Sequence, residues 1–148
     1  MHNITSLSDT LFRELNQPIS LSISSIAYWL RYVGLGKLNI AIDTSLEIDN
    51  LLECEFTDEQ AAILSEFYYI YYFDKLIFNS LGANSYDTID NQWISLKEGD
   101  TTISRVNFID KARIYRDMQK EHKSKLDMLV AQYRANNAYP KDERYTIY

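Results

Sequence analysis

Few residues in this chain have the types and spacing that chemistry needs. Four carboxylates, Asp87, Asp90, Glu98 and Asp100, stand near one another in the sequence. A carboxylate pair is the least equipment that general acid–base catalysis requires. These four, however, lie in polar, turn-prone stretches, where acids are ordinarily solvated. Cys54 is the only cysteine, and it sits in "LLECEFTDEQ" beside Glu53, Glu55, Asp58 and Glu59. Acidic neighbours raise a thiol's pKa and so deplete the reactive thiolate. One cysteine also excludes an intrachain disulfide and a Cys-rich metal site, and a reducing compartment is the expectation. The histidines are His2 and His122. A lone histidine on a helical stripe is better read as a hydrogen-bonded, half-exposed residue than as a metal ligand. There is no nucleophile–base pairing and no glycine loop to cradle a phosphate. The sequence argues against an enzyme and implies no cofactor.

Charge is more informative. Residues 1–56 hold three basic and seven acidic side chains, residues 57–106 three and eight, and residues 107–148 nine and six. An acidic first two-thirds is thus followed by a basic last third. Such asymmetry suits a surface that meets an acidic neighbour, another copy of the chain included, or a nucleic acid. The overall pI near 4.9 argues against the basic footprint of a nucleic-acid binder. Asp110, Asp117, Glu121 and Asp127 also interrupt the basic run.

The elements that position these residues read as mainly helical. With 4 Gly and 2 Pro in 148 residues, long unbroken helices are favoured. "LSDTLFRELNQP" predicts a short helix capped by Ser8 or Asp9, with Leu11, Phe12 and Leu15 inward and Pro18 as its stop. A second helix carries Ile26, Trp29, Leu30 and Val33, is capped by Ser24 or Ser25, and ends at Gly34 or Gly36. "NIAID" reads as a short strand or an extended connector. "TDEQ", Thr57 to Gln60, is a capping box that opens a long helix running to about Ser80 or Leu81. Its expected seam is Ala62, Ile63, Phe67, Ile70, Tyr71, Ile77 and Leu81, with Asp74 as the exception. Extra aromatics at Tyr68, Tyr69, Tyr72 and Phe73 make it apolar on nearly all sides, as befits a central helix.

A second long helix starts at an Asn107 cap. Its seam, Ala112, Tyr115, Gln119, His122, Leu126, Leu129 and Tyr133, alternates steps of three and four. Lys111, Arg113, Arg116, Lys120, Lys123 and Lys125 surround it as a basic face. "WISLKEGDTTISRV" between the two long helices predicts a β-hairpin, with strands at Trp93–Leu96 and Thr102–Val106 and "EGD" as the turn. A lone two-stranded hairpin is marginal in water and needs a partner surface. "AYPKDERYTIY" has no helical period. Its aromatics are unusual for a free tail and point to docking on something. The chain contains 12 Tyr, a residue suited to half-wet interfaces. No secretory leader is visible, and the "FYYIYYF" run is too short to span a bilayer.

The order of a long helix, then "WISLKEGDTTISRV", then a basic helix ending "LDMLVAQYR" resembles the phage head–tail connector (adaptor) family. The matching positions are Gly99, Asp100, Thr102 and Ile103, then Leu126, Leu129, Tyr133 and Arg134, within residues 57–148. The style is similar to that of short-tailed phages, the crAss-like group among them.

The resemblance implies a mainly α fold: a helical bundle with two long helices, a small inserted hairpin at about 93–106 and an extended tail. It implies one helical domain over residues 1–136 and a docking tail over 137–148. It also implies a structural virion protein, made in the host cytoplasm and placed at the head–tail junction. There it forms a dodecameric homo-oligomeric ring beneath the portal, joins capsid to tail, and lets DNA pass without binding it specifically. The tail residues Tyr139, Pro140, Arg144, Tyr145, Ile147 and Tyr148 are then expected to dock on the portal. Trp93, Lys97, Glu98, Gly99, Asp100, Thr102 and Arg105 of the hairpin are expected to contact a neighbouring subunit or a tail protein. The basic face is Lys111, Arg113, Arg116, Lys120 and Lys123. The alternative is a small helical interaction or regulatory protein, binding nucleic acid through the basic helix at 107–134.

Overall fold

A computed structural model describes residues 2–46, 55–82, 95–98, 101–104 and 108–138. The chain is mainly helical: α1 (Ile4–Glu14), α2 (Ile23–Trp29), a π turn (Leu30–Gly34), α3 (Leu35–Ile42), α4 (Asp58–Gly82) and α5 (Phe108–Ala138). Between α4 and α5, β1 (Ser95–Glu98) pairs antiparallel with β2 (Thr101–Ser104), Ser95 opposite Ser104 and Glu98 opposite Thr101. This pairing is offset from the expected Trp93–Leu96 and Thr102–Val106, because it takes in Lys97, Glu98 and Thr101. The chain packs as two compact units. One comprises Met1–Tyr68 with Ser124–Tyr148, and the other Tyr69–Lys123.

In the first unit α1 begins earlier than the sequence suggested. Asn3 is its N-cap, and its side chain accepts from the Ser6 amide at 2.8 Å while the Ser6 hydroxyl accepts from the Asn3 amide. That reciprocal box satisfies two donors that a helix start otherwise leaves unpaired. Ser8, expected as a cap, is instead buried within the helix and donates to the Ile4 carbonyl at 2.6 Å. The chain leaves α1 through Asn16 and Gln17, both in the left-handed region, before Pro18.

Residues 23–42 run as one continuous helical segment interrupted by the π turn. Ser22 caps it, with Ser25 answering from the third helical position. Gly34 does not end this segment, and "NIAID" is no strand. The real stop is Asp43, in the left-handed conformation at φ 53°. Asn39 fixes that stop: its side-chain oxygen accepts from the Thr44 hydroxyl and the Leu46 amide, and its amide donates to the Leu46 carbonyl. The π turn inserts one residue into the helical count. The buried positions therefore run Ile26, Trp29, Leu30, Gly34, Leu35, Leu38, Ile42, and Val33, expected inside, is 41% exposed.

The core of this unit includes Leu11, Ile26, Leu30, Leu38, Ile63 and Leu64, each with 0% exposure. Burying each such side chain contributes about 1.5–3 kcal/mol. The Trp29 and Tyr68 rings meet edge-on at 5.4 Å between centroids. The N-terminus is pinned beside the start of α4 by an antiparallel bridge between His2 and Phe56, and by His2 Nε2 to Asp58 Oδ1 at 2.8 Å.

The capping box at α4 forms as expected: the Gln60 side chain accepts from the Thr57 amide at 3.1 Å, and the Thr57 hydroxyl accepts from the Gln60 amide at 3.3 Å. From Gln60 to Phe73 no residue of α4 is exposed, in keeping with a helix apolar on most sides. The expected seam is only partly right. Ala61, Leu64, Glu66, Tyr68 and Phe73 are buried, whereas Ala62, Phe67, Ile70 and Tyr71 are half-buried and Leu81 is exposed. A helix surrounded by neighbours has no single seam to read.

The two helical glycines test this packing in opposite directions. A Cβ on Gly34 would lie 2.9 Å from Trp29 Cζ3 and 3.0 Å from Leu64 Cδ1, whereas one on Gly36 would meet nothing within 4 Å. Gly36→Ala should raise stability by about 0.5–1 kcal/mol through helix propensity alone. Gly34→Ala should lower it by about 1–2 kcal/mol, because overpacking outweighs the same propensity gain. Urea unfolding of the two variants reads both signs, and equal shifts would refute the close packing at Gly34.

Candidate interaction surface

The α5 seam positions the surface. Ala112, Gln119 and Leu126 are buried, and Tyr115, His122, Leu129 and Tyr133 are half-buried. The other residues from Lys111 to Ala138 are exposed, apart from Val130. The three–four alternation of an isolated stripe is thus realised position by position.

In the second unit the seam is aromatic and polar together. The His122 ring stacks on Tyr69 at 4.8 Å and on Phe73 at 5.4 Å, with interplanar angles of 22° and 24°. It packs against both aromatic rings. Gln119 is 6% exposed, and its amide donates to the Ile70 carbonyl at 3.0 Å and to the Asp74 carboxylate. This explains Asp74, the polar exception in α4: it accepts from a buried amide that needs a partner. Burial first, and then the neighbouring Tyr115, push the Tyr72 phenol above its ordinary range, so it stays neutral at any physiological pH.

In the first unit the same helix makes polar ties. Gln60 donates to the Tyr133 hydroxyl at 3.3 Å, and Asn136 donates to Glu59 at 3.3 Å. The Arg134 guanidinium donates twice to the Ala41 carbonyl, at 2.7 and 3.1 Å, covering the C-terminal end of α3. Glu66 is buried, and Lys125 reaches it at 3.3 Å with its own side chain 59% exposed. Tyr133 and Arg134, picked out by the sequence resemblance, therefore have structural work here.

Solvent meets the other side of α5. Lys111, Arg113, Arg116, Lys120 and Lys123 are all exposed, as the sequence suggested. Four of them, Arg113, Arg116, Lys120 and Lys123, are three or four residues apart and share one flank. Asp117, also exposed, is four residues from Arg113 and three from Lys120, and exposed Asp127 is four from Lys123, so acids stand beside and among the basic residues, with Glu121 four beyond Asp117. Beyond them stand Ile114 and Met118, 55% and 44% exposed. The exposed acids Asp117 and Asp127 thus interrupt the basic flank at ion-pair spacing. Lys111 stands apart from the four, on the side of Ile114.

Of the other expected contact residues, Lys97, Glu98 and Thr102 lie on the paired strands. Trp93, Gly99, Asp100 and Arg105 lie outside the described residues, as do Cys54, Asp87, Asp90 and the tail residues Tyr139, Pro140, Arg144, Tyr145, Ile147 and Tyr148. Among the described residues no group of three or more His, Cys, Asp or Glu could hold a metal ion. No helix among them is long and apolar enough to cross a membrane. Compared with family models, curated proteins and solved structures, the chain matches none.

Removing the Gln119 amide tests the polar seam. Gln119→Ala should cost about 1–3 kcal/mol, because it opens a gap and leaves Asp74 with one donor fewer. Chemical denaturation of this variant measures it, and a shift under a few tenths of a kcal/mol would show that the bridge is not part of the native packing.

Proposed function

We propose that the chain is a structural virion protein, a head–tail connector subunit that assembles as a ring beneath a phage portal. In this reading the ring joins capsid to tail and lets DNA pass. Residues 139–148 dock on the portal, and the hairpin segment contacts a neighbouring subunit or the next tail protein. The observation that carries the reading is the exposed, charge-rich outer face of α5. A closed ring of identical subunits is built from heterologous contacts, in which two different patches of each copy must complement one another. A largely basic flank and the exposed apolar Ile114 and Met118, on one helix of an otherwise acidic chain, supply the makings of such patches. The acidic balance also disfavours DNA adhering to a channel wall.

The same basic flank favours a second reading, a small regulatory protein that binds nucleic acid through α5. The two differ in what they bind. Tagged protein expressed during infection of its host and captured at moderate salt should bring down portal and tail proteins in near-stoichiometric amounts. Nucleic acid or host proteins alone would put the regulatory reading first.

Reversing the flank, with Arg113, Arg116, Lys120 and Lys123 all changed to Glu, should leave helicity intact because all four are exposed, yet abolish ring formation. Electron microscopy of assembled necks reads that outcome, and normal rings would remove α5 from the interface. Deleting Tyr139 to Tyr148 should likewise leave a folded helical protein that no longer joins heads to tails. Infectious particles containing the deletion would rule out the tail as the portal anchor.

A further inference from the structure

One exposed face of the helical run 23–42 is built on a four-residue step. Tyr28, Tyr32, Gly36 and Ile40 follow one another at that spacing. Tyr28 and Tyr32 are each 65% exposed, their rings 4.6 Å apart at 48°, and Ile40 is 80% exposed. In a regular α-helix each four-residue step drifts by about 40° round the axis. The wider π turn at Leu30–Gly34 offsets that drift, so the row stays on the side away from the buried Leu30, Gly34 and Leu38. Gly36 opens a notch in the row, with nothing within 4 Å of where its Cβ would be. Glycine is a poor helix former, but it lets another backbone approach closely. The charged residues along the run are Arg31, Lys37 and Asp43, all exposed.

We infer that this face pairs with the same face of a second copy, the two helices antiparallel about a two-fold axis at Gly36. In that register the row complements itself. Gly36 meets Gly36 of the other copy and lets the backbones close. Tyr32 and Ile40 stand four residues to either side of the centre, so each tyrosine packs on the other copy's isoleucine, twice over. Arg31, five residues before the centre, comes level with position 41 of the other copy. Asp43 lies two residues further on, about 3 Å of helical rise, within an arginine's reach. The run's acid and its first cation are thereby paired. Lys37 falls beside its counterpart on the flank, where the long stem lets the two ammonium groups part in water. Two cations and one acid give residues 23–44 a charge of +1, too little to draw a nucleic acid or an anionic bilayer to a chain of net charge −6. Area sets the strength of the pair. A buried aromatic side chain hides about 150–250 Å², so two tyrosines at 65% exposure offer roughly 200–300 Å² per copy, with Ile40 in addition. A standard interface takes about 800 Å² from each partner, so this pair belongs to the weak, reversible class, with a Kd on the order of tens of micromolar. A two-fold contact closes on itself, unlike the heterologous contacts of a ring, so the pairing stands apart from the connector reading.

Sedimentation velocity of the full chain, from about 5 to 500 µM, tests the pairing with no second protein present. The expected result is a monomer–dimer equilibrium. Gly36→Leu fills the notch and replaces glycine with a better helix former. It should keep or raise thermal stability yet weaken the dimer roughly tenfold or more, because the backbones can no longer close. Two charge variants read the register. Arg31→Glu alone and Asp43→Lys alone each set like charges opposite one another at both ends, and each should be monomeric. Mixed together, the introduced carboxylate faces the introduced ammonium while Arg31 of the second variant faces Asp43 of the first, so a heterodimer should form. If Asp43→Lys loses helicity by circular dichroism, Gly36→Leu carries the test. A monomer across the whole range would overturn the inference. So would oligomers of any size that Gly36→Leu leaves unchanged, which use another surface, or a mixture that stays monomeric although both variants fold, which excludes this register. Changing Arg113, Arg116, Lys120 and Lys123 to Glu should leave the pairing intact, and its loss there would place the contact on α5 instead.

Discussion

The packing at Gly34 is the constraint on which the first unit rests. The absent side chain lets the helical run of residues 23–42 close on α4, so that Trp29 and Leu64 both crowd the same point. A regular α-helix would turn Val33 toward that contact. The π turn delays the inward position by one residue and brings Gly34 and Leu35 to it instead. Everything C-terminal to the turn is rotated by the same step. Leu38 and Ile42 go into the core, and Ile40 and Lys37 go out. The exposed apolar face and the buried core are thus two results of one close approach. Single-turn π insertions often occur at functional positions for this reason, because they re-aim side chains without ending the helix.

How legible this was in the sequence depended on how many neighbours each helix has. The α5 seam could be read residue by residue, Gln119 and His122 included, since a helix buried along one stripe shows one period. The Thr57–Gln60 box was legible because capping is local chemistry. The α4 seam was less so, since nearly every side from Gln60 to Phe73 meets something. Two errors share a cause. In the sequence Gly34 or Gly36 reads as a helix end, although Gly34 serves a close contact rather than a turn. Asp43, the true stop, carries a side chain and is held by Asn39 and Thr44, a tertiary arrangement with no simple sequence mark. Ser8 or Asp9 reads as a cap because both residue types favour caps, but a buried serine can equally satisfy itself on the preceding turn, as Ser8 does.

The site was legible in composition but not in arrangement. The basic residues of α5 were visible in the sequence and are exposed. Only when the helix is wound do Arg113, Arg116, Lys120 and Lys123 come to share one flank, with Asp117 and Asp127 at ion-pair spacing beside them. The tyrosines divide along similar lines. Tyr68 is core, Tyr69, Tyr72 and Tyr115 line the half-wet seam of the second unit, and Tyr28 and Tyr32 face water.

The Gln119 bridge has a further consequence, for how the helices of the second unit can move. A seam of regular three–four spacing offers nearly equivalent pairings one heptad apart, and apolar side chains alone discriminate weakly between them. Gln119 is served by the Ile70 carbonyl and the Asp74 carboxylate only in the observed alignment. Sliding α5 along α4 by a heptad would strand a buried amide among apolar side chains, with a desolvation penalty of about 1–3 kcal/mol. One polar residue therefore acts as a detent, and axial load on this helix pair meets a notch rather than a smooth rail.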